Sequence, residues 1–339
     1  MVDWIVPVTI AFTMAFAFGI GSNDETMATT VGTGGIRLKR ATLLAAILAT
    51  AGSFFLSDKV ARSIGTGLIN LPQTTLETYQ PWILLAVLVA VSSWLILASR
   101  IGAPVSGTHS VVGAIIGVAA CAPFLGSTFI ETLKLGGLFN VILGWIFSPL
   151  LGLGCAILVS WVTRKAIKTK IRGLQTMERF ERNFMILLVI LVAFNQLNRA
   201  GNDAGNALGI FHALVAGNQV KEDYLMLLLG GGSISIGLGL FIVGRRLLKS
   251  VGTNIIELRP SDAFCIETSV LIVLTVCNLL GLPISGSHVL IFAIIGVALV
   301  KREPVDKKSL RRIAFTWIVT FPVTALICAA VLIPIISLV

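Results

Sequence analysis

Gly102-Ala103-Pro104-Val105-Ser106-Gly107-Thr108-His109 returns as Gly281-Leu282-Pro283-Ile284-Ser285-Gly286-Ser287-His288, with His288 following His109 by 179 positions. A second word, Asn23-Asp24, returns as Asn202-Asp203 at the same offset of 179. Unrelated short matches have no reason to share one offset, so the chain reads as a duplicated unit of roughly 170–180 residues. The repeated words are polar, but their surroundings are not. The chain is 56% hydrophobic and only 12% charged, with a mean hydropathy of +0.95. Soluble domains carry about 25% charged residues. So few charges cannot cover a surface facing water, and the expected fold class is all-α, a polytopic helical bundle in a lipid bilayer. Polar words duplicated in such a chain are the pattern of a transporter.

Windows long and apolar enough to span fall near 4–20, 41–56, 82–98, 105–122 and 138–161, then 184–198, 224–243, 264–280, 283–300 and 313–338. The stretches 24–35 and 203–216 are apolar but punctuated by Gly, Asn and Thr, as in continuations of broken helices. Ten segments are therefore a minimum, and twelve result if both pieces cross. The start carries Asp3 and no basic region, so the first helix is expected to be retained rather than cleaved. The net charge of +10 follows from loop placement rather than from nucleic-acid binding. Loops 36–40, 99–104, 162–183, 244–262 and 301–312 hold 21 of the 26 Lys and Arg, against 4 in the opposite loops. The crowded side is expected to be cytoplasmic, with both termini outside the cell membrane. An odd number of crossings per copy then makes the copies inverted, with a site near the midplane between them. The expected organisation is a first repeat over 1–161, a basic cytoplasmic linker over 162–183 and a second repeat over 184–339. Five scattered cysteines without a CxxC pair read as packing residues.

Two kinds of chemistry are written in the repeated words. Pro104 and Pro283 stand where a short loop meets an apolar run, the place where proline suits a first helical turn. Ser106, Gly107 and Thr108, like Ser285, Gly286 and Ser287, then offer free N–H groups and hydroxyls at a positive helix end, which is a site for an oxyanion. The plainer alternative is that these hydroxyls only cap their helices. Asp24 and Asp203 are carboxylates in an apolar setting, costly unless a cation accompanies them. On a continuous helix Asn23, Thr26, Thr30 and Thr33 share a face, and Asn202 and Asn206 lie one turn apart. Carboxylate, amide and carbonyl oxygens suit Na⁺, placed here at Asp24 and Asp203. Capping of a helix start is again the alternative. His109 and His288 either titrate during transport or hold a hydroxyl in place. Arg199 either supplies positive charge to an anion or pairs with Asp203. Glu267 and Glu25 are either proton or cation ligands or groups reaching the interface, and neither has an acidic counterpart, since Leu88 and Ala204 occupy those places.

These words resemble those of the inorganic phosphate transporter (PiT) family, whose repeated signature is approximately GANDVANA followed by a P-[VI]-S-[GT]-T-H word. The copies here read Gly21-Ser22-Asn23-Asp24-Glu25-Thr26-Met27-Ala28 and Ala200-Gly201-Asn202-Asp203-Ala204-Gly205-Asn206-Ala207. The resemblance implies a secondary symporter for inorganic phosphate, coupled to Na⁺ or to H⁺, with no resident cofactor. It places Asp24, Asp203 and the neighbouring Asn23, Asn202 and Asn206 at the ion and substrate site, to which the helical face drawn above adds Thr26 and Thr30. The Ser and Thr residues would cradle phosphate, and Glu267 matches an acidic residue of the family. Departures are Met27, Glu25, Ser287 and Arg199, the last where relatives often have His. A sulfate permease branch keeps sulfate open as the substrate, and the reading is compatible with a homo-oligomer. An anion channel would need a continuous lined pore. An intramembrane enzyme would need a nucleophile with its base or a metal cluster, which the sequence does not offer.

Overall fold

The computed structural model describes residues 5–57, 73–171, 173–216, 223–254, 257–280 and 284–338. The described residues form α1 (Ile5–Ser22), α2 (Ala28–Gly32), α3 (Leu38–Leu56), α4 (Gln73–Arg100), α5 (Gly107–Ala120), α6 (Phe129–Thr132) and α7 (Leu135–Lys170). They continue with α8 (Leu174–Ala216), α9 (Asp223–Ile242), α10 (Arg245–Asn254), α11 (Pro260–Leu279), α12 (Gly286–Lys301) and α13 (Lys307–Leu338). Each of the ten apolar windows falls on a helix. Six helices (α3, α4, α7, α8, α11 and α13) are long and apolar enough to cross a membrane, while α9 and α10, bent by 61° at their junction, reach that length only when taken together. The apolar helices α1, α5 and α12 are shorter. At 1.5 Å per residue, the 14 residues of α5 reach about 21 Å, short of a hydrocarbon core of about 30 Å. α5 folds back on α4, and α12 on α11, so Ser106-Gly107 and Ser285-Gly286 lie at the tips of two helical hairpins, Pro283 being outside the described residues.

Two expectations met a different geometry. The chain breaks after α1 and resumes in α2, so Asn23, Thr26, Thr30 and Thr33 do not share one helical face. The break has a local cause: Asp24 Oδ1 accepts Thr26 N–H at 2.8 Å and the Thr26 hydroxyl at 2.6 Å, an alternative to the helical bond. In the second copy the corresponding stretch continues unbroken through α8. Most of 162–183 is also helical: α7 continues to Lys170 and α8 starts at Leu174, after Gly173 at φ +88°.

The packing follows the duplication. α1 lies on α9 as α8 lies on α3, and α1 lies on α4 as α8 lies on α11. α13 covers α5 as α7 covers α12, so the last helix of each half closes over the hairpin of the other. Between α1 and α9 the backbones nearly touch, because a side chain at Gly21 would strike the Ile236 carbonyl and one at Gly239 the Phe18 carbonyl. The surface is inside-out by the standards of a soluble protein. Phe55, Ile146, Phe147, Leu158, Trp161, Ile318 and Leu326 face outward, whereas Thr29, Asn195, Gln196, Arg199 and Glu267 are buried. Basic loops also meet one another. Arg246 donates to the Arg100 carbonyl, Arg312 to that of Ile101, and Lys301 pairs with Asp262 at 2.8 Å. Arg164 reaches Asp262 from the end of α7 at 3.5 Å, while Glu181 accepts Ser261 N–H and Oγ–H.

Candidate functional site

The two hairpin tips converge. His109 and His288, each two residues inside its helix, have ring centroids 4.6 Å apart. Ser106 caps α5 by accepting His109 N–H at 3.3 Å, and Ser285 caps α12 by accepting His288 N–H at 3.4 Å. Capping and anion binding are compatible here, because a cap satisfies one N–H and leaves others of the first turn free. A small cavity opens between the tips, lined by Ser106, Gly107 and Thr108, by Ser285, Gly286 and Ser287, and by Asn23, Arg199 and Asp203. The rest of its wall is apolar: Ile20, Leu95, Val105 and Ile284. Asn23 ties the break after α1 to the first tip, donating to the Val105 carbonyl at 2.5 Å. Thr108 shares a hydrogen bond with Ser106 at 2.8 Å and accepts one from the Trp145 ring at 3.3 Å.

Carboxylates gather beside the cavity. Arg199 Nη2 donates to Glu25 Oε1 at 2.7 Å and to Ser287 Oγ at 3.1 Å, and its Nε donates to Asp203 Oδ2 at 3.3 Å. Arg199 thus pairs with Asp203 and also lines the cavity. Asp24 Oδ2 accepts the side-chain amide of Gln196. Glu267 stands apart from the cavity wall and accepts Thr29 Oγ–H at 2.7 Å and Asn195 Nδ2–H at 2.6 Å. Among the described residues no three His, Cys, Asp or Glu side chains cluster as a metal site. A monovalent cation here would draw on single carboxylates, amide and hydroxyl oxygens and the carbonyls of the broken helix. The acceptors Gln196 Oε1, Asn195 Oδ1 and Glu25 Oε2 are buried without a hydrogen-bond partner among the described residues.

Other candidates lie elsewhere or act differently. Asn202 turns from the cavity and donates to Asn278 Oδ1 at 2.5 Å, and the Thr30 hydroxyl donates back to the Met27 carbonyl at 2.7 Å. The side chain of Asn206 lies outside the described residues. The histidines hold no hydroxyl through His109 Nδ1, His109 Nε2 or His288 Nε2, none of which has a hydrogen-bond partner among the described residues. Their rings pack instead: His109 on Trp145 at 4.1 Å and His288 on Trp317 at 3.8 Å. Thr29, Asn195 and Gln196 were missed by reading the repeat. Asn195 and Gln196 stand opposite Phe16 and Ala17 in the first copy, so no duplicated word marks them. The available signal was an amide pair inside an apolar run, which in a membrane segment points to function.

Two hairpin tips holding a hydroxyl-lined cavity inside an apolar helical bundle define a membrane transport protein, and comparison with known proteins names its kind. A model described as the phosphate transporter family matches residues 18–328. The chain belongs to that family. It is 28% identical to a protein of Thermococcus kodakarensis provisionally named a phosphate permease, over 97% of each chain. It is 27% identical to a Rhizobium meliloti protein provisionally named a low-affinity inorganic phosphate transporter, over 95% of this chain and 93% of the relative. A solved structure described as the sodium-dependent phosphate transporter superposes with a TM-score of 0.85, covering 99% of this chain and 100% of its own, at 23% identity. That likeness establishes the shared fold.

Proposed function

We propose that this chain is a symporter that carries inorganic phosphate across the cell membrane with Na⁺, binding the anion between the two hairpin tips. The observation that carries the reading is the cavity itself. Two helix N-termini, four hydroxyl side chains and Arg199 meet an anion there, while Asp203 lines the cavity, Glu25 pairs with Arg199, and Asp24 and Glu267 are buried off its wall. One guanidinium cannot offset four carboxylates and an arriving oxyanion in a buried setting, so cations must enter with the substrate. Asp24 and Asp203 are the proposed cation ligands, with Gln196 Oε1 and Asn195 Oδ1 as uncharged partners; a proton at one of these carboxylates is the alternative coupling ion. Asp203 on the wall favours phosphate over sulfate, because phosphate at neutral pH has an O–H to donate to a carboxylate and sulfate has none. The exchangeable packing of the halves supports alternating access between two inverted repeats over 1–161 and 184–339. The contacts among the basic loops fit a single cytoplasmic face, with 162–183 on it and both termini outside.

The test is uptake of radiolabelled phosphate and sulfate into proteoliposomes under an inward Na⁺ gradient, a proton gradient or neither. The expected result is phosphate accumulation that requires the Na⁺ gradient. Sulfate accumulation in its place selects the other oxyanion, and accumulation of neither anion under any gradient overturns the symporter reading.

A further inference from the structure

The ion pair of Glu25 and Arg199 lies outside the repeated plan. Arg199 has Ile20 as its counterpart, and Glu25 has Ala204, so each copy supplies one partner where the other copy is apolar. The pair is almost fully enclosed, with side chains 0% and 4% exposed and Nη2 at 2.7 Å from Oε1. Neither partner is closed to further contacts. Arg199 lines the cavity with its guanidinium against Gly286, where a Cβ would come within 2.8 Å of Nε. Glu25 gives one oxygen to Arg199, and its Oε2 is buried without a hydrogen-bond partner among the described residues. Asp24 and Asp203 are the other charged groups that act on it.

An oxyanion between the tips competes with Glu25 for this guanidinium, because a planar fork that pairs with a carboxylate pairs equally with a phosphate. Once Arg199 turns to the anion, Glu25 is a buried carboxylate with no cation, a state that is costly until one arrives. We propose that Arg199 is a movable counter-ion: it holds Glu25 before the anion binds, and passes to the anion when it enters. Glu25 is thereby handed to a monovalent coupling cation. This deepens the phosphate-symport reading and rests on it. One side chain then links one anion to one cation, and the linkage is reciprocal, with each ligand tightening the other.

The test uses the full chain in proteoliposomes, reading labelled phosphate together with ²²Na⁺ and a trapped pH dye. Glu25→Gln removes the competitor for Arg199, so it tightens phosphate by about 5-fold or more and lowers the cations moved per phosphate by one. Arg199→Gln weakens phosphate by about tenfold or more. These opposite directions are the signature of a shared guanidinium. A purely structural pair weakens in parallel when either partner is lost, and that result overturns the inference, as does an unchanged cation count in Glu25→Gln. If the single variants fail to fold, the double variant Arg199→Ile with Glu25→Ala decides, since it removes both charges and restores the repeat's own pairing. Weak phosphate binding with one cation fewer supports the inference; wild-type affinity and count overturn it. The two cation signals distinguish sodium from a proton as the ion that Glu25 takes. A wild-type chain that takes up no phosphate overturns the transport reading itself, a failure separate from those above.

Discussion

A single methyl group distinguishes the two hairpin tips. Gly107 and Gly286 open α5 and α12 at matching places in the repeated word, and neither has a positive φ. A Cβ at Gly107 meets no atom within 4 Å, whereas one at Gly286 lies 2.8 Å from Arg199 Nε, 3.0 Å from Cζ and 3.2 Å from Cδ. At those distances the guanidinium must shift from the position in which Glu25, Ser287 and Asp203 hold it. Gly286→Ala therefore moves Arg199 away from the second tip, and the bond at stake is a charge-assisted one to an anion held there, worth about 1.5–3 kcal/mol. If Arg199 is a ligand of the anion, that loss corresponds to roughly 10- to 150-fold in phosphate affinity. Gly107→Ala gains up to about 1 kcal/mol of helix propensity and leaves affinity within about twofold. The assay is initial-rate uptake over a phosphate series for both variants and the parent, normalised to protein recovered monodisperse from the membrane. A Gly286→Ala protein with the parent's KM refutes the placement of Arg199 in the anion site. Equal losses in both variants refute it too, because they would mean that the tips simply cannot tolerate bulk.

Other perturbations test the remaining parts. Asp24→Asn and Asp203→Asn are each expected to abolish gradient-driven uptake while folded protein stays in the membrane, and normal uptake by both removes the cation-site assignment. Thr29→Val takes a hydroxyl from Glu267 and should raise the Na⁺ concentration needed for half-maximal uptake by about threefold to tenfold, as one lost bond of about 1 kcal/mol predicts. Thr30→Val, whose hydroxyl turns back on its own helix, should leave that concentration unchanged. Asp262→Ala leaves the buried Lys301 with only Glu303 and the Glu257 carbonyl, and should cost about 1–3 kcal/mol, seen as a lower Tm in detergent with uptake at permissive temperature intact. An unchanged Tm would show that this end of the molecule does not rely on the pair.

Hydropathy located the helices because lipid imposes the same demand on every span, and capping chemistry located the hairpin tips because Ser106 and Ser285 act on residues only three positions away. Long-range choices were less visible. Nothing in Gly21-Ser22-Asn23-Asp24 announces a helix break that Gly201-Asn202-Asp203 lacks. The break comes with Asp24 accepting from Thr26, whose counterpart is Gly205, and with Asn23 meeting the Val105 carbonyl across the bundle, whereas Asn202 meets Asn278. Once the helix breaks, the rotation of α2 is set anew, and a wheel drawn through 23–33 selects Thr30 where the fold presents Thr29 to Glu267. Asn195 and Gln196 escaped for the opposite reason: they sit in a regular helix, but reading by repetition passes over whatever one copy does alone. The same blindness hides Glu25 and Arg199. The duplicated words build a cavity whose tips are chemically alike, so they can bind an oxyanion without fixing which charges accompany it. Glu25, Asn195, Gln196, Arg199 and Glu267, which have no like residue in the other copy, carry most of the ionic and amide chemistry that breaks the likeness. The proposed link between anion and cation is therefore to be tested at Glu25 and Arg199, where the two halves disagree, and the matched hydroxyls and carboxylates that they share are to be tested as the common site.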